Sequence, residues 1–516
     1  MANRMETLKD NIRKLLNHEK KEAGKQLQLI DHLQQLGVAY HFKDNIKGAL
    51  ASISACIQDK GLLLKDNLHA TSLLFRLLRE NGITVSQDIF NSFIDERGCF
   101  KSSLKDQLKG MLSLYEASYY AKEGEVVMNE AMDFTTKHLR SLLQEGSLEP
   151  HLKQQVAHAL ELPLNWRMQR FHARWFIEAC QRKYTINAPL LIEFARVDFN
   201  MVQDIHKKEL AQLSRWWADL GITKKLQFFR DRLTQNYVWT VGWAFEPQFW
   251  SCREFQTKAN CFVAMLDDVY DVYGTLEELE FFTDAIERWD VNAIDKLPEY
   301  MKLCFLAVFN MANEAAYKVI RDKGLDITPY LKRAWRDLCK AFLLEAKWYH
   351  GGYEPSLEEY LENGWVSASG HVCMTYAYCM SPYLTKEDLE RFSSGYPKNV
   401  ELSSMNCRLY NDVVTYSAEM ERGDASSSIY CMMKEMGVSE VEARETAKGM
   451  IKANWRGLNG DRACNSNNLF EEAFKNAGVN LSRTAQFFYQ HEDGYGKAEG
   501  ETKDRVTLLL FDPIKP

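Results

Sequence analysis

Helix breakers are scarce in this chain: glycine supplies 27 and proline 11 of its 516 residues. Together that is about 7%, against roughly 12% in average usage, which argues against sandwiches, barrels and disordered linkers. A mostly helical protein is the expectation. Cysteines number 12, yet none pair as CxxC and none form a dense short module. They read as small apolar groups in a reducing compartment, not as a disulfide scaffold or zinc module. No apolar run reaches the ~18 residues of a membrane span, so no span is expected. The N-terminus lacks the apolar stretch of a signal peptide, and Glu6, Asp10, Glu19 and Glu22 set it apart from an acid-poor transit peptide. As supplied, the chain reads as cytoplasmic. Neither sign of charge dominates, with 64 basic and 71 acidic residues and a net charge of −7. Nucleic acid and anionic membranes are not expected partners, whereas a local basic site for a phosphate ligand is compatible with that balance. Also missing are HExxH, a P-loop, a strand-borne GxGxxG, GxSxG and a clustered zinc set.

What is present is helical periodicity, in a chain long enough for two or three domains. Leu8, Ile12, Leu15 and Leu16 carry it close to the N-terminus. Gln26–Leu36, Leu73–Leu78 and Leu104–Tyr119 read as amphipathic helices, the last with Leu108, Met111, Leu112 and Tyr115 on one face. Turn residues fall between them: Asn81–Gly82, Arg97–Gly98, Glu145–Gly146 and Glu149–Pro150. No stretch alternates as a strand would, and no repeat or low-complexity tract occurs. Around residues 183–190 the character changes, as aromatic density rises and ionic residues gather into spaced clusters. A boundary is expected near Asn187–Ala188–Pro189, where proline restricts the preceding backbone. The expected architecture is all-α, with helical domains over 1–185 and 186–516 and the chemistry in the second.

Three clusters in that second domain could carry chemistry. The first is Leu266–Asp267–Asp268–Val269–Tyr270–Asp271. On a helix, Asp267 and Asp271 are i and i+4, stacked on one face, and Asp268 turns about 100° aside. Like charges at that spacing repel, and the preceding Phe262–Val263–Ala264–Met265–Leu266 is apolar enough to be buried. Buried carboxylates call for a counter-charge, and their hard oxygens suit Mg2+ or Mn2+; a solvated helix end is the other reading. The second cluster is Asn411, Asp412, Thr415 and Glu419. Positions 411, 415 and 419 run down one helical stripe, so an amide oxygen, a hydroxyl and a carboxylate face one way. They make either a three-oxygen chelate for a hard cation or a polar solvent face. Arg422, Gly423 and Asp424 just beyond would end the helix. The third cluster is Arg230–Asp231–Arg232, whose guanidinium groups suit bidentate grasp of phosphate oxygens, or a surface ion pair. Around it stand Phe228, Phe229, Tyr237, Trp239, Trp243, Phe245, Phe249 and Trp250. These would form core or, beside a diphosphate, stabilise a carbocation through their ring faces. The chemistry suggested is metal-assisted departure of a diphosphate in an aromatic, water-poor cavity.

Taken together, these strings resemble class I terpene synthases of the plant type. Asp267, Asp268 and Asp271 complete the DDxxD motif, and Asn411, Asp412, Thr415 and Glu419 complete (N/D)Dxx(S/T)xxxE. Arg230 and Arg232 give the upstream RxR. Leu213–Ser214–Arg215–Trp216–Trp217, Phe245–Glu246–Pro247–Gln248 and Asp493–Gly494–Tyr495 extend the likeness over nearly the whole chain. The resemblance implies a non-catalytic N-terminal helical domain and a C-terminal helical bundle around a deep pocket. It implies three Mg2+ ions, with Mn2+ as a substitute: Asp267 and Asp271 would serve one side, and Asn411, Thr415 and Glu419 the other, with Asp268 in support. Arg230, Arg232 and Arg408 would hold the diphosphate and Trp239 would line the pocket. Asp493 and Tyr495 would belong to the loop that closes over the substrate.

The details are most similar to the angiosperm monoterpene branch, so geranyl diphosphate is the expected substrate. Farnesyl diphosphate, as in nerolidol-forming relatives, is the alternative. Asn260 lies seven residues before Asp267, about 10.5 Å along a helix. It reads as a partner for a neighbouring helix, or as the holder of a water that captures a terpinyl cation, since 1,8-cineole-type synthases are similar in having Asn here. Capture would give 1,8-cineole or α-terpineol, with linalool as the acyclic alternative. Two features depart from the family. The tandem-arginine RRxxxxxxxxW strand would precede the start of this chain, which is then either native without it or a truncated plastid precursor. Ser427 stands where some relatives place a lysine. A monomer is expected, with a homodimer as the alternative. Among competing readings, a chain-elongating prenyltransferase would carry a second aspartate-rich motif. An isoprene synthase would carry bulky phenylalanines in place of Asn260 and Cys407. A non-catalytic helical interaction protein would have no need of intact metal ligands.

Overall fold

The computed structural model describes residues 2–18, 22–60, 67–146, 148–181, 188–226, 228–422, 426–462, 469–496 and 499–515. Among them every regular element is helical, apart from one isolated bridge between Ile94 and Phe100. The chain divides into two units: Met1–Gln203 with Asn459–Asn467 and Phe511–Pro516, and Asp204–Leu458 with Asn468–Leu510. Residues 182–187, including Asn187 of the expected boundary, lie outside the described residues. Pro189 opens a helix that runs to Leu220, and the division between units falls within it.

In the first unit, local chemistry sets the helix boundaries. Ala2–His18 buries Leu8, Ile12 and Leu16, whereas Leu15, at the edge of that stripe, is 37% exposed. Ala23–Gln35 realises the expected Gln26–Leu36. Leu68–Glu80 contains the expected Leu73–Leu78 and starts where the Asn67 side chain accepts the Ala70 N–H. The helix expected over Leu104–Tyr119 is shorter. Leu104 belongs to a 3-10 turn, Ser102–Asp106, and only Leu108–Ser118 is α-helical. The two are separated by Gln107, whose φ of −96° and ψ of 69° are not helical. Met111 and Tyr115 still face inward, against Leu139 and Val156. Gly146, at φ +68°, ends Val126–Glu145, and Pro150 occupies the first turn of Pro150–Glu161.

The second unit is a helical bundle with a polar clamp in its core. Arg253 donates Nε and Nη2 to the buried Glu209 carboxylate at 2.8 and 2.7 Å, and the Tyr237 hydroxyl donates to it at 2.6 Å. Arg253 Nη1 reaches the carbonyls of Ala244 and Glu246 at 2.6 and 2.8 Å. A buried charge is tolerable when so many of its donors are used. Capping boxes start Leu276–Arg288, Leu357–Ser367 and Lys386–Arg391. Glu299–Lys323 is long and apolar enough, by length and composition, to cross a membrane, which the run-length reading passed over. Half of that window is buried inside the protein, as in a core helix. Cys99 is exposed, and the other described cysteine side chains are buried free thiols. Leu233–Trp243, Trp250–Asp268, Thr328–Gly351, Leu357–Ser367, Gly370–Cys379, Lys398–Arg422 and Leu469–Tyr489 all contribute residues to one cavity.

Candidate active site

That cavity, in the second unit, has a volume of about 1020 Å³, the upper end of the range for small-ligand sites. One wall is the end of the Trp250–Asp268 helix, anchored in the core by Met265 and Leu266, with Val263 and Ala264 on the cavity side. The sequence reading carries a regular α-helix through Asp271, and this needs correction. From Val269 to Tyr273 the backbone is a π-helical turn, closed by Gly274 N–H donating to Val269 O at 2.8 Å. Gly274 is packed so closely that a Cβ there would lie 2.6 Å from Leu279 Cδ2. Asp267 and Asp271 nevertheless both line the cavity. Asp268 lines it as well, and its carboxylate is engaged by Arg230, whose Nη2 donates to it at 2.9 Å.

These acids are crowded. Burial, with Asp268 beside it, pushes the Asp267 carboxyl up to about 6, against the pull of Arg408 and Arg232. Desolvation by the surrounding cavity walls pushes Asp271 above the ordinary carboxylate range, and Asp267 and Glu345 add to the effect. Glu345 is itself raised by burial and opposed by Arg408. Excess negative charge thus faces one cavity.

A second wall is the Lys398–Arg422 helix, which brings Asn411, Thr415 and Glu419 to the cavity on one stripe. The Thr415 hydroxyl donates to the Asn411 carbonyl at 3.0 Å, so its oxygen remains an acceptor. Asp412 faces away from the cavity and is fully buried. It accepts the Tyr360 hydroxyl at 3.0 Å and the Ser428 N–H at 2.9 Å. Arg408 lines the cavity, donates to Ser367 Oγ at 3.0 Å and to Gly364 O at 3.3 Å, and lies 3.5 Å from Asp412. Gly423 and Asp424 lie outside the described residues, as does the Arg422 side chain. Ser427 has a structural role: it caps Ser428–Met436 by accepting the Tyr430 N–H.

Arg230 and Arg232 sit at the cavity on the segment entering Leu233–Trp243. The intervening Asp231 does not bridge them but accepts the Leu233 N–H at 3.1 Å. Arg232 is buried, with its guanidinium 4.8 Å from the Tyr495 ring centroid. Tyr495 donates to Asn236 Oδ1 at 2.8 Å, and Asp493 accepts the Gly496 N–H at 2.7 Å. Of the aromatic run around the arginines, Phe228 and Trp239 line the cavity. Phe229, Tyr237, Trp243 and Phe245 are buried core instead. Trp239 stacks on Phe488 with centroids 5.1 Å apart. Asn260 and Cys407 are also on the cavity wall.

The sequence reading missed Glu345, Tyr360, Ser367 and Tyr489, all on the cavity. For Glu345 a signal existed: it falls within the stripe Leu338, Phe342, Ala346 of a buried helix, where an acid stands out. Ser369, at φ +62°, interrupts the helical path beside the cavity. Gly370 follows because a Cβ there would lie 2.4 Å from Ser404 Oγ.

The donor set is all oxygen and hard. Among the described residues no three His, Cys, Asp or Glu side chains form a ready-made metal cage. Each wall offers carboxylates in ones and twos, which fits Mg2+, an ion that completes its shell with water and phosphate oxygens. Helices that set such donors on two sides of one cavity, with guanidinium groups beside them, are the build of a class I terpene synthase.

Comparison with known proteins agrees. The family model "Terpene synthase, N-terminal domain" matches residues 1–160, and "Terpene synthase family, metal binding domain" matches 218–457. Monoterpene synthase 8, chloroplastic, of Hedychium coronarium is 60% identical over 98% of this chain and 86% of its own length. The (−)-α-terpineol synthase of Vitis vinifera is 48% identical over 99% of this chain and 86% of its own. The crystal structure of isoprene synthase from grey poplar leaves (Populus x canescens), in complex with three Mg2+ ions and dimethylallyl-S-thiolodiphosphate, has a TM-score of 0.93 at 42% identity. It covers 100% of this chain and 97% of that one. The chain belongs to the terpene synthase family, among the angiosperm monoterpene synthases, and is a lyase acting on prenyl diphosphates.

Proposed function

We propose that this chain is a Mg2+-dependent synthase that ionises geranyl diphosphate in the plastid and captures water to give an oxygenated monoterpene, α-terpineol or 1,8-cineole, with linalool as the acyclic alternative. The observation that carries the ionising role is the pairing of two oxygen-donor walls with guanidinium groups on one cavity. Asp267 and Asp271, joined by Glu345, would hold ions on one side, and Asn411, Thr415 and Glu419 on the other. Mn2+ fits the same donors. When bound, the ions neutralise the diphosphate and make it a competent leaving group. Arg232 and Arg408 orient its oxygens with planar, two-pronged donors. Arg230 adds a third such group from its anchor on Asp268. Trp239, held by Phe488, presents a ring face to a developing cation. Asp493 and Tyr495 would close the site behind the substrate. The plastid location rests on relatives named as chloroplastic.

Water capture rests on Asn260, a buried amide on the cavity wall, and on the likeness to the Vitis vinifera (−)-α-terpineol synthase. Asn260 and Cys407 leave the cavity open where bulky phenylalanines would shorten it, which favours a ten-carbon chain over a five-carbon one. The test is incubation of purified protein and Mg2+ with geranyl diphosphate and, separately, farnesyl diphosphate, followed by gas chromatography with mass detection. Oxygenated monoterpenes from the first are expected. Sesquiterpenes alone, or hydrocarbons alone, would overturn the corresponding part.

A further inference from the structure

One polar contact on the cavity wall takes no part in holding metal or diphosphate. Cys373, on Gly370–Cys379, donates its thiol to Asn260 Oδ1, on Trp250–Asp268, at 3.1 Å. Both side chains are buried and both line the cavity. A primary amide has two unlike ends, an oxygen that only accepts and a nitrogen that only donates. The thiol takes one of the oxygen's two lone pairs and fixes the amide plane. Among the described residues the Nδ2–H2 end has no protein partner, which leaves it to a water in the cavity. We propose that Cys373 is the positioning residue that fixes the Asn260 amide with its donor end toward the cavity, and so sets how the captured water is held. This rests on the water-capture reading of the site.

The chemistry follows from the orientation. A water that accepts a hydrogen bond from Nδ2 commits one lone pair and keeps the other for attack. That pair forms the C–O bond to the tertiary cation, and the resulting oxonium loses a proton to give the alcohol. An amide N–H cannot take that proton. The base is the diphosphate that the ionisation step has released, so charge and protons balance. A thiol suits the post because it buries as a small apolar group while still donating, weakly, one hydrogen bond. Without it the amide can rotate, and its oxygen and nitrogen compete for the cavity.

The test compares wild type with Cys373→Val, Cys373→Ser and Asn260→Leu, using the whole chain with Mg2+ and geranyl diphosphate. The readout is the oxygenated fraction of total product, so that changes in overall rate do not enter. Valine puts a methyl in place of the sulfur and adds one more at the cavity wall while removing the donor; serine keeps a donor. Cys373→Val is expected to lower the oxygenated fraction about fivefold, which is ~1 kcal/mol at ~1.4 kcal/mol per tenfold. Cys373→Ser should stay within about twofold of wild type, since one hydrogen bond replaces another. A second readout is the infrared S–H stretch of Cys373, identified as the band lost in Cys373→Val, which should move to higher frequency in Asn260→Leu. An unmoved S–H band overturns the contact, and with it the proposal. An oxygenated fraction that falls in Asn260→Leu but not in Cys373→Val overturns the positioning role alone. A fraction unchanged in Asn260→Leu, or a wild type making only hydrocarbons, overturns the water-capture reading together with this inference.

Discussion

Asp267 and Glu419 stand on different helices at the same cavity, so neither can stand in for the other. Replacing either by alanine is expected to cut turnover far more than tenfold while far-UV circular dichroism stays unchanged. A variant keeping over about a tenth of the wild-type rate, a loss under ~1.4 kcal/mol, would contradict the assigned roles. Arg232 makes a sharper case, because its charge can be kept. Its guanidinium is buried beside the Tyr495 ring, and lysine offers a point charge with no planar fork. Arg232→Lys should therefore raise KM for geranyl diphosphate and lower kcat. Kinetics equal to wild type would remove Arg232 from the grip on the diphosphate. Glu419 was legible in the sequence because its i, i+4 spacing from Thr415 and Asn411 fixes a shared face on an α-helix, whereas Asp267 and Arg232 were legible through the DDxxD and RxR strings. Tyr360 and Ser367 were not, because only packing turns their helix toward the cavity; Glu345 left a trace as an acid on the buried stripe of its helix.

At the scale of an element, the segment after Asp268 decides where Asp271 points. Periodicity predicts a helix there, and its pitch is what periodicity cannot see. The π turn sets Gly274 against Leu279 of the next helix and Met301 of the one after it. An added methyl at Gly274 would meet Leu279 Cδ2 at 2.6 Å and Met301 Cε at 3.1 Å. Overpacking of this kind costs about 1–3 kcal/mol, and the displaced turn carries Asp271 with it. Gly274→Ala is expected to lower the thermal midpoint and to raise the Mg2+ concentration needed for half-maximal activity. If both quantities match wild type, the turn does not position the acid. The shortened Leu108–Ser118 helix teaches the same lesson: its apolar face was readable, whereas its start was set by the backbone of Gln107.

For the whole molecule, one source of acid sensitivity is the histidines that fold in neutral form. Burial pushes His371 down to about 4 from its ordinary 6.5, and it pushes His69 and His158 of the first unit down to about 4 as well. Each unit thus holds such a group. Unfolded, these imidazoles take up protons as the pH falls below 6.5, while in the native protein they resist until about 4. Their contribution is complete above 6.5 and is lost as the pH drops through that window. The half-buried cavity acids Asp267 and Glu345, raised by the fold, act in the opposite sense, so the total slope mixes the two. His371 can be isolated. Its Nε2 lies 3.1 Å from Ala334 O, and asparagine can supply a donor there while never taking a proton. Between about pH 7.5 and pH 5, the wild type should lose roughly 2 kcal/mol more stability than His371→Asn, because the acids are common to both and cancel. Urea unfolding at the two pH values measures the difference. Equal losses in the two proteins would show that His371 titrates alike in the native and unfolded states, and that its burial carries no part of the acid sensitivity.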